Sequence, residues 1–199
     1  MIDPRTSALL VVDLQNDTVG EQGAFADAGA AEFAARHRVV EKVRGLVDEA
    51  RATRMPVIFV WHVDEPGHRD STRNAELFRE IVEANGLVRG TWGVAPVAGL
   101  EPQDGDAVVE KQRMSAFNAT TLDTKLRGLE RDQILVTGAW TNMSIEHTAR
   151  TGADKGYFMY VPEDCCSTMN ADWHNAAINY ALQNVSTVTS CDAVLAAIG

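Results

Sequence analysis

The fold is indicated first by residues 8–17, which read ALLVVDLQND. An apolar run extends without alternation from Ala8 to Val12 and ends at Asp13. An unbroken apolar run of this kind is typical of a strand that is buried on both faces, as in a parallel sheet. Because ligands of open α/β sheets bind beyond the carboxyl ends of the strands, the polar residues from Asp13 onward are candidate functional residues.

Similar apolar runs recur along the chain, with helical patterns between them. The further predicted strands lie at 57–61, 107–109, 134–137, 157–161 and 185–189. Helical patterns predict helices at 39–50, 122–129, 142–155, 171–183 and 192–198. This alternation predicts an α/β fold, a three-layer α/β/α sandwich around a six-stranded, mostly parallel sheet in the Rossmann-like order 3-2-1-4-5-6. A chain of 199 residues suits one domain, residues 1–199.

The least regular segment is 64–106, in which we expect one helix at about 75–84. Long excursions of this kind are often lids or binding loops. Surface padding is an equal alternative for this segment.

The chain is acidic, with 28 Asp and Glu against 18 Lys and Arg and a formal net charge of −10 at pH 7. This balance argues against nucleic acid or an anionic membrane as a partner, because both bind clustered cations. No apolar run approaches the roughly 20 residues that span a bilayer, and residues 1–7 do not resemble a signal peptide. Three cysteines without framework spacing indicate a reducing compartment. We therefore expect a cytoplasmic protein.

Three polar residues follow different predicted strands, namely Asp13, Lys111 and Ser144. Each has an ordinary explanation when taken alone, as a turn cap, an ion-pair partner or a helix cap. Together, a carboxylate, an ammonium group and a hydroxyl near one helix N-terminus are the parts of acyl-transfer catalysis. The combination predicts an active site where the fourth strand meets the following helix.

Several motifs resemble those of the isochorismatase-like cysteine hydrolases. Residues 9–17, LLVVDLQND, resemble the family's opening signature, and residues 110–123 resemble its lysine segment. Residues 136–150, VTGAWTNMSIEHTAR, resemble its nucleophile segment. The C-terminal pattern is matched by residues 161–164, VPED, and by His174.

The resemblance spans nearly the whole chain and is weakest between about residues 65 and 87. Thr141-Asn142 and the GTW of residues 90–92 are most similar to the ureidoacrylate and biuret amidohydrolase branch of the family.

The resemblance implies a catalytic triad of Asp, Lys and Cys. Asp13 matches the base, Lys111 the lysine, and Ser144 the position of the nucleophilic cysteine. An oxyanion hole is implied around Trp140 and Ser144, beside a non-prolyl cis peptide between Ala139 and Trp140. The implied reaction is hydrolysis of a C–N bond in a small amide or ureido substrate, without a cofactor. Family members are commonly dimers or tetramers, so we expect a homodimer or homotetramer.

Ser144 departs from the implied triad, and three explanations stay open. The first is an engineered Cys-to-Ser replacement that inactivates the enzyme and traps substrate. The second is a natural serine variant or a non-catalytic binding relative. The third is a true isochorismatase. True isochorismatases hydrolyse a vinyl ether by acid chemistry with the Asp, and they have glycine at this position after an Ala-His motif. A hydroxyl is a far weaker acid than a thiol, and Asp13 alone is a poor base for it.

A metal site is a separate question, because nicotinamidases of the resembled family bind a divalent metal through Asp-x-His and a later His. Here His62 and His68 keep both histidines, but Val60 stands in place of the aspartate, and Asp64 is the nearest substitute. Two histidines without a carboxylate are an incomplete site. We therefore expect no metal.

Aromatic and amide side chains near the strand ends are candidates for substrate binding, since small-molecule pockets are often lined this way. The aromatic candidates are Phe25, Trp61, Trp92, Phe117 and Trp140. The amide candidates are Gln15, Asn16 and Asn142. Arg89 and Arg113 are candidates for a substrate carboxylate. The alternative for each is a core or surface position, and we expect Cys165 and Cys166 to be small buried hydrophobes.

Overall fold

The computed structural model describes residues 2–199 and contains one seven-stranded sheet. Its strands are β1 (Ser7–Val12), β2 (Val57–His62), β3 (Ala107–Lys111), β4 (Gln133–Ala139), β5 (Phe158–Pro162), β6 (Cys166–Ser167) and β7 (Thr187–Thr189). The order is β3-β2-β1-β4-β5-β7, and neighbouring strands are parallel. The short strand β6 lies off this path and pairs with β4. The predicted fold and strand order are therefore confirmed, with β7 as the sixth strand of the order and β6 as an addition.

The helices are α1 (Asn16–Val19), α2 (Ala30–Arg36), α3 (Val39–Ala52), α4 (Glu76–Glu83), α5 (Leu122–Gly128), α6 (Glu146–Asp154), α7 (Ala171–Ala176) and α8 (Cys191–Ile198). The helix predicted at 142–155 begins as a π-helical turn, Thr141–Ile145, before α6. The helix predicted at 171–183 is also divided, because α7 continues into a π-helical turn, Ala177–Ala181. None of the helices in residues 2–199 is both long enough and apolar enough to cross a membrane.

The core has two faces because side chains alternate along a buried strand. Leu9 and Val11 of β1 belong to one cluster, together with residues of α3 and α8. Ala8, Leu10 and Val12 belong to the other cluster, together with residues of α5 and α6. Helices therefore cover both faces of the sheet, which confirms the three-layer sandwich and leaves the carboxyl ends of the strands as the place for a site.

The three cysteines, Cys165, Cys166 and Cys191, are all buried and free. This confirms the expectation that Cys165 and Cys166 are small buried hydrophobes. Burial raises the pKa of the Cys166 thiol, so the neutral thiol is favoured there. A buried neutral thiol is inert.

Candidate active site

Asp13 lies directly after β1, where the chain leaves the sheet. Its backbone is in the left-handed region (φ 51°), which Asp tolerates better than most residues. The backbone N–H donates to the Val60 carbonyl at 2.8 Å, as a further residue of β1 would. Carboxylate oxygen Oδ1 accepts from the His62 backbone N–H at 3.1 Å. The side chain is thereby fixed over the carboxyl end of β2.

Lys111 is the last residue of β3, and β2 separates that strand from β1. Neighbouring strands lie about 4.8 Å apart, so only a long side chain reaches Asp13 from there. Nζ of Lys111 donates to Oδ2 of Asp13 at 2.7 Å. The lysine is fully buried, at 0% exposure, and charged residues almost never are unless they are paired. The ion pair is therefore what makes this burial tolerable.

Ser144 is brought to the same place by the end of β4. A Cβ at Gly138 would lie 2.0 Å from the backbone carbonyl oxygen of Val12 in β1. Glycine at this position therefore permits β4 to lie close to β1. The Ala139–Trp140 peptide bond is cis, as the resemblance implies. The π-helical turn Thr141–Ile145 follows and contains Ser144. Ser144 thus lies in a widened helical turn that follows closely on β4.

The three side chains meet at one carboxylate oxygen. Oγ of Ser144 donates to Oδ2 of Asp13 at 2.6 Å and accepts from Nζ of Lys111 at 3.2 Å. The Asp13 carboxylate is therefore a proton acceptor beside the Ser144 hydroxyl, and the Lys111 ammonium group lies next to both. Activation of a hydroxyl as a nucleophile requires such an arrangement.

A pocket opens beside this cluster. Of the residues predicted for the site, Asp13, Phe25, Ala139, Trp140 and Ser144 line it. The rings of Phe25 and Trp140 meet edge to face, with their centroids 5.8 Å apart. Edge-to-face packing is a favoured geometry for aromatic pairs. The two rings therefore form one firm side of the pocket.

The three amides predicted to orient the substrate stand outside the pocket wall that the described residues form. Gln15 is fully buried, and its side-chain amide both donates to and accepts from the backbone of His62. Asn16 donates to a loop carbonyl at 2.9 Å. Asn142 accepts from the Thr168 hydroxyl at 2.6 Å. Each amide is held by another segment of the chain instead of facing the substrate.

Three of the predicted aromatic residues also lie away from the pocket. Trp92 is 57% exposed on a surface loop. Phe117 is buried against α5 and α6 and stacks on Tyr157, with ring centroids 5.6 Å apart. Trp61 packs, half-buried, against the opposite core cluster. Its neighbour His62 lines the pocket instead, because successive residues of a strand point to opposite faces.

Sequence reasoning missed much of the pocket wall. Leu77 and Ile81 come from α4, and Leu87 comes from the loop after it. Leu87 is held in place because its backbone N–H donates to Oδ2 of Asp17 at 2.7 Å. The irregular segment between β2 and β3 thus supplies a wall of the pocket, as a binding loop does. The spacing of Leu77 and Ile81, four residues apart, is the signal for a buried face of α4. The other lining residues not predicted to bind substrate are Thr18, His62 and Met114.

A second buried polar cluster, here called the histidine cluster, consists of His62, Asp64 and His68. Nδ1 of His68 lies 2.8 Å from Oδ2 of Asp64, and Nε2 of His62 lies 3.3 Å from Oδ1 of Asp64. Nε2 of His62, Oδ1 of Asp64 and Nε2 of His68 are buried without a hydrogen bond of good geometry. Across residues 2–199, no group of three or more His, Cys, Asp or Glu side chains is placed to hold a metal ion. The cluster departs from the Asp-x-His pattern of the nicotinamidases, because Val60 stands where that pattern has its aspartate.

The pKa of Asp64 reflects two opposed effects. Burial raises the pKa of this carboxyl, but its interactions with His62 and His68 outweigh burial and bring the pKa below the usual 3.8. The carboxylate of the histidine cluster is therefore a stable negative charge at neutral pH.

Known proteins resemble this chain over nearly its whole length. The Isochorismatase domain model matches residues 7–193. The ureidoacrylate amidohydrolase RutB of Pantoea ananatis (strain LMG 20103) is 32% identical over 208 residues, covering 96% of this chain and 83% of that protein. A cysteine hydrolase structure from Pseudomonas syringae pv. phaseolicola 1448A is 27% identical with a TM-score of 0.86, covering 99% of this chain and 94% of that one. The structure of an isochorismatase family protein from Desulfovibrio vulgaris subsp. vulgaris str. Hildenborough is 31% identical with a TM-score of 0.82, covering 96% of this chain and 99% of that one.

Proposed function

This chain belongs to the isochorismatase family, and from that membership we propose that it is an amidohydrolase, which cleaves the C–N bond of a small amide or ureido compound. The observation that carries the proposal is the meeting of Lys111 Nζ and Ser144 Oγ at a single oxygen of Asp13, at 2.7 and 2.6 Å. Curated relatives of similar length are named ureidoacrylate amidohydrolases, which supports the reaction class.

In the first step, Oγ of Ser144 attacks the carbonyl carbon of the substrate while its proton moves to Oδ2 of Asp13. Backbone N–H groups of Trp140 and Ser144 hold the oxyanion that forms. The C–N bond then breaks, and the proton passes from Asp13 to the leaving nitrogen. Ammonia or an amine departs, and the acyl group stays on Ser144 as an ester.

In the second step, water gives a proton to Asp13 and attacks the ester carbonyl. The ester C–O bond breaks, the proton returns to Ser144, and the acid is released. The sum is amide plus water to acid plus ammonia or amine. The ammonium group of Lys111 balances the charge of Asp13 and the negative charge that develops on the nucleophile.

Ser144 limits the rate of this reaction. A hydroxyl ionises far less readily than a thiol, and a carboxylate is a weak base for it. The hydroxyl already occupies the nucleophile position with its hydrogen bonds made, so Ser144→Cys changes a single atom. We therefore expect slow turnover from the unchanged chain and fast turnover from the thiol variant.

The direct test is Ser144→Cys, assayed for ammonia release from a panel of small amides and ureido compounds. We expect the variant to be about 100-fold faster than the unchanged chain, because the thiolate is the better nucleophile. The matched control is Ser115→Cys, which adds a thiol at a buried serine that is bonded to Thr151 and stands outside the pocket wall. This control should leave the rate unchanged.

Two results would contradict the proposal. In one, Ser144→Cys changes nothing while Asp13→Asn abolishes hydrolysis of a vinyl ether, and the site is then an acid catalyst of isochorismatase type. In the other, neither variant alters the turnover of any compound, and the chain is then a non-catalytic binding relative.

A further inference from the structure

We infer that the substrate of this site is uncharged and that its non-reacting end is apolar. The inference rests on the proposed amidohydrolase function and narrows its substrate class. A compound that carries a carboxylate, as ureidoacrylate does, is then a poor substrate for this chain, although similar relatives are named for it.

The pocket beside Ser144 offers a carboxylate no lysine or arginine to pair with. Its wall is built from apolar side chains that include Phe25, Leu77, Leu87 and Met114. Besides the reacting residues, its polar members are Thr18 and His62. Within the part of the chain that the structure describes, no Lys or Arg lines it. The Thr18 hydroxyl and Nε2 of His62 have no hydrogen-bond partner, but an anion placed against this wall loses its hydration without gaining a lysine or arginine in return, which is costly.

The arginines that the sequence offers for a substrate carboxylate are engaged elsewhere. Arg89 forms ion pairs with Glu65 at 2.7 Å and Glu110 at 2.6 Å on the surface. Arg113 donates to a loop carbonyl and lies over the ring of Phe78, 4.3 Å from its centroid. Neither guanidinium belongs to the pocket wall. Neither Arg89 nor Arg113 is therefore placed to bind a substrate carboxylate through two parallel N–H donors.

Lys111 does not take their place. Its ammonium group is fully buried and is already shared between Asp13 and Ser144. Because Lys111 and Asp13 neutralise each other, the pair offers an anion no net attraction. The whole chain carries −10 at pH 7, and this net charge repels an anion. The apolar wall, the cations that are paired elsewhere and the negative net charge thus all favour an uncharged substrate with an apolar end.

The test compares two amides of the same shape. One is 3-methylbutanamide, which ends in an isopropyl group, and the other is malonamate, which ends in a carboxylate. With Ser144→Cys, we expect kcat/KM for ammonia release to be about 100-fold higher for 3-methylbutanamide, equivalent to about 2.7 kcal/mol. Ligand-observed NMR with the unchanged chain should rank the binding of the two compounds in the same order.

A cation placed in the wall should weaken this preference. Leu77 is half-buried on α4, so a longer side chain there reaches either solvent or the ligand. In the Ser144→Cys chain, Leu77→Arg should raise kcat/KM for malonamate about 10-fold and lower it for 3-methylbutanamide. Leu77→Met is the matched control, because it keeps an apolar wall of similar size and should keep the original preference.

Equal or better turnover and binding of malonamate overturns the inference and leaves the amidohydrolase function standing. If both compounds bind in the expected order but neither releases ammonia, the hydrolase proposal fails and the inference stands for the ligand. If neither compound binds, the inference is overturned.

Discussion

Two buried carboxylates lie near the ends of β1 and β2, and they differ in what surrounds them. Asp13 meets an ammonium group and a hydroxyl at one oxygen, beside the pocket. Asp64 is fully buried between two imidazoles, apart from the pocket wall that the described residues form. Burial alone therefore does not separate a reactive carboxylate from a structural one. A reactive carboxylate is distinguished instead by the groups that it pairs with and by its access to a ligand.

The largest difference between the two carboxylates should appear in the rate. In the Ser144→Cys chain, Asp13→Asn should lower kcat by roughly 10³-fold, because an amide cannot take and return the proton. Asp64→Asn in the same background is the matched control and should lower kcat less than about 10-fold, since Asp64 is out of reach of the reacting atoms. Steady-state ammonia release measures both. Equal losses of kcat would show that Asp13 has no special role in proton transfer.

Lys111→Met tests the pairing at Asp13. The change keeps an apolar stem but leaves the carboxylate as an uncompensated buried charge. We expect the free energy of unfolding to fall by about 3–5 kcal/mol, measured by urea denaturation. Adding Asp13→Asn should recover part of this loss, because no unpaired charge remains. A single-variant loss below about 1 kcal/mol would show that the carboxylate does not need the lysine.

Acid should reveal the role of the histidine cluster. Asp64 has a lower pKa in the folded chain than its unfolded value near 3.8. Its ionised form therefore stabilises the fold above that value, and this contribution is lost as the pH falls through the folded pKa. We expect the urea midpoint to drop as the pH falls below the unfolded value of 3.8 and on through the folded pKa, and Asp64→Asn should make the drop smaller. The same drop in both proteins would argue against a stabilising carboxylate.

The smallest effects are expected outside both clusters. Trp92 is 57% exposed and stands apart from the pocket, so Trp92→Ala in the Ser144→Cys chain should change kcat/KM less than about 2-fold. Phe25→Ala, which removes part of the pocket wall, should raise KM about 10-fold through lost apolar contact. If the two variants change the steady-state constants alike, the substrate site extends to the surface loop that carries Trp92.

The meeting of Asp13, Lys111 and Ser144 is predictable from the sequence, because each residue lies at or just after the end of an apolar run. The central strands β1 and β4 are buried on both faces, so their sequences are nearly unbroken apolar runs. Asp13 and Ser144 come after such runs, and Lys111 ends a shorter one. Parallel strands bring their carboxyl ends to one edge of the sheet, so the positions at the strand ends also predict that the three residues meet.

The pocket wall is harder to predict, because the direction of a side chain depends on segments distant in sequence. Trp61 and His62 are neighbours, yet only His62 lines the pocket. Gln15 follows the end of β1 but bonds to the backbone of His62, 47 residues away. The short elements β6 and α1 have two and four residues, and no periodic pattern can be read in so few.

We propose that Asp13, Lys111 and Ser144 act together on an acyl group. The decisive experiment is mass spectrometry of the Ser144→Cys chain, quenched in acid after brief incubation with a panel of small amides that includes 3-methylbutanamide. We predict an acyl adduct on the peptide that contains position 144, and its loss when Asp13→Asn is added. No adduct with any amide, or an adduct that forms equally fast without the Asp13 carboxylate, would contradict the account.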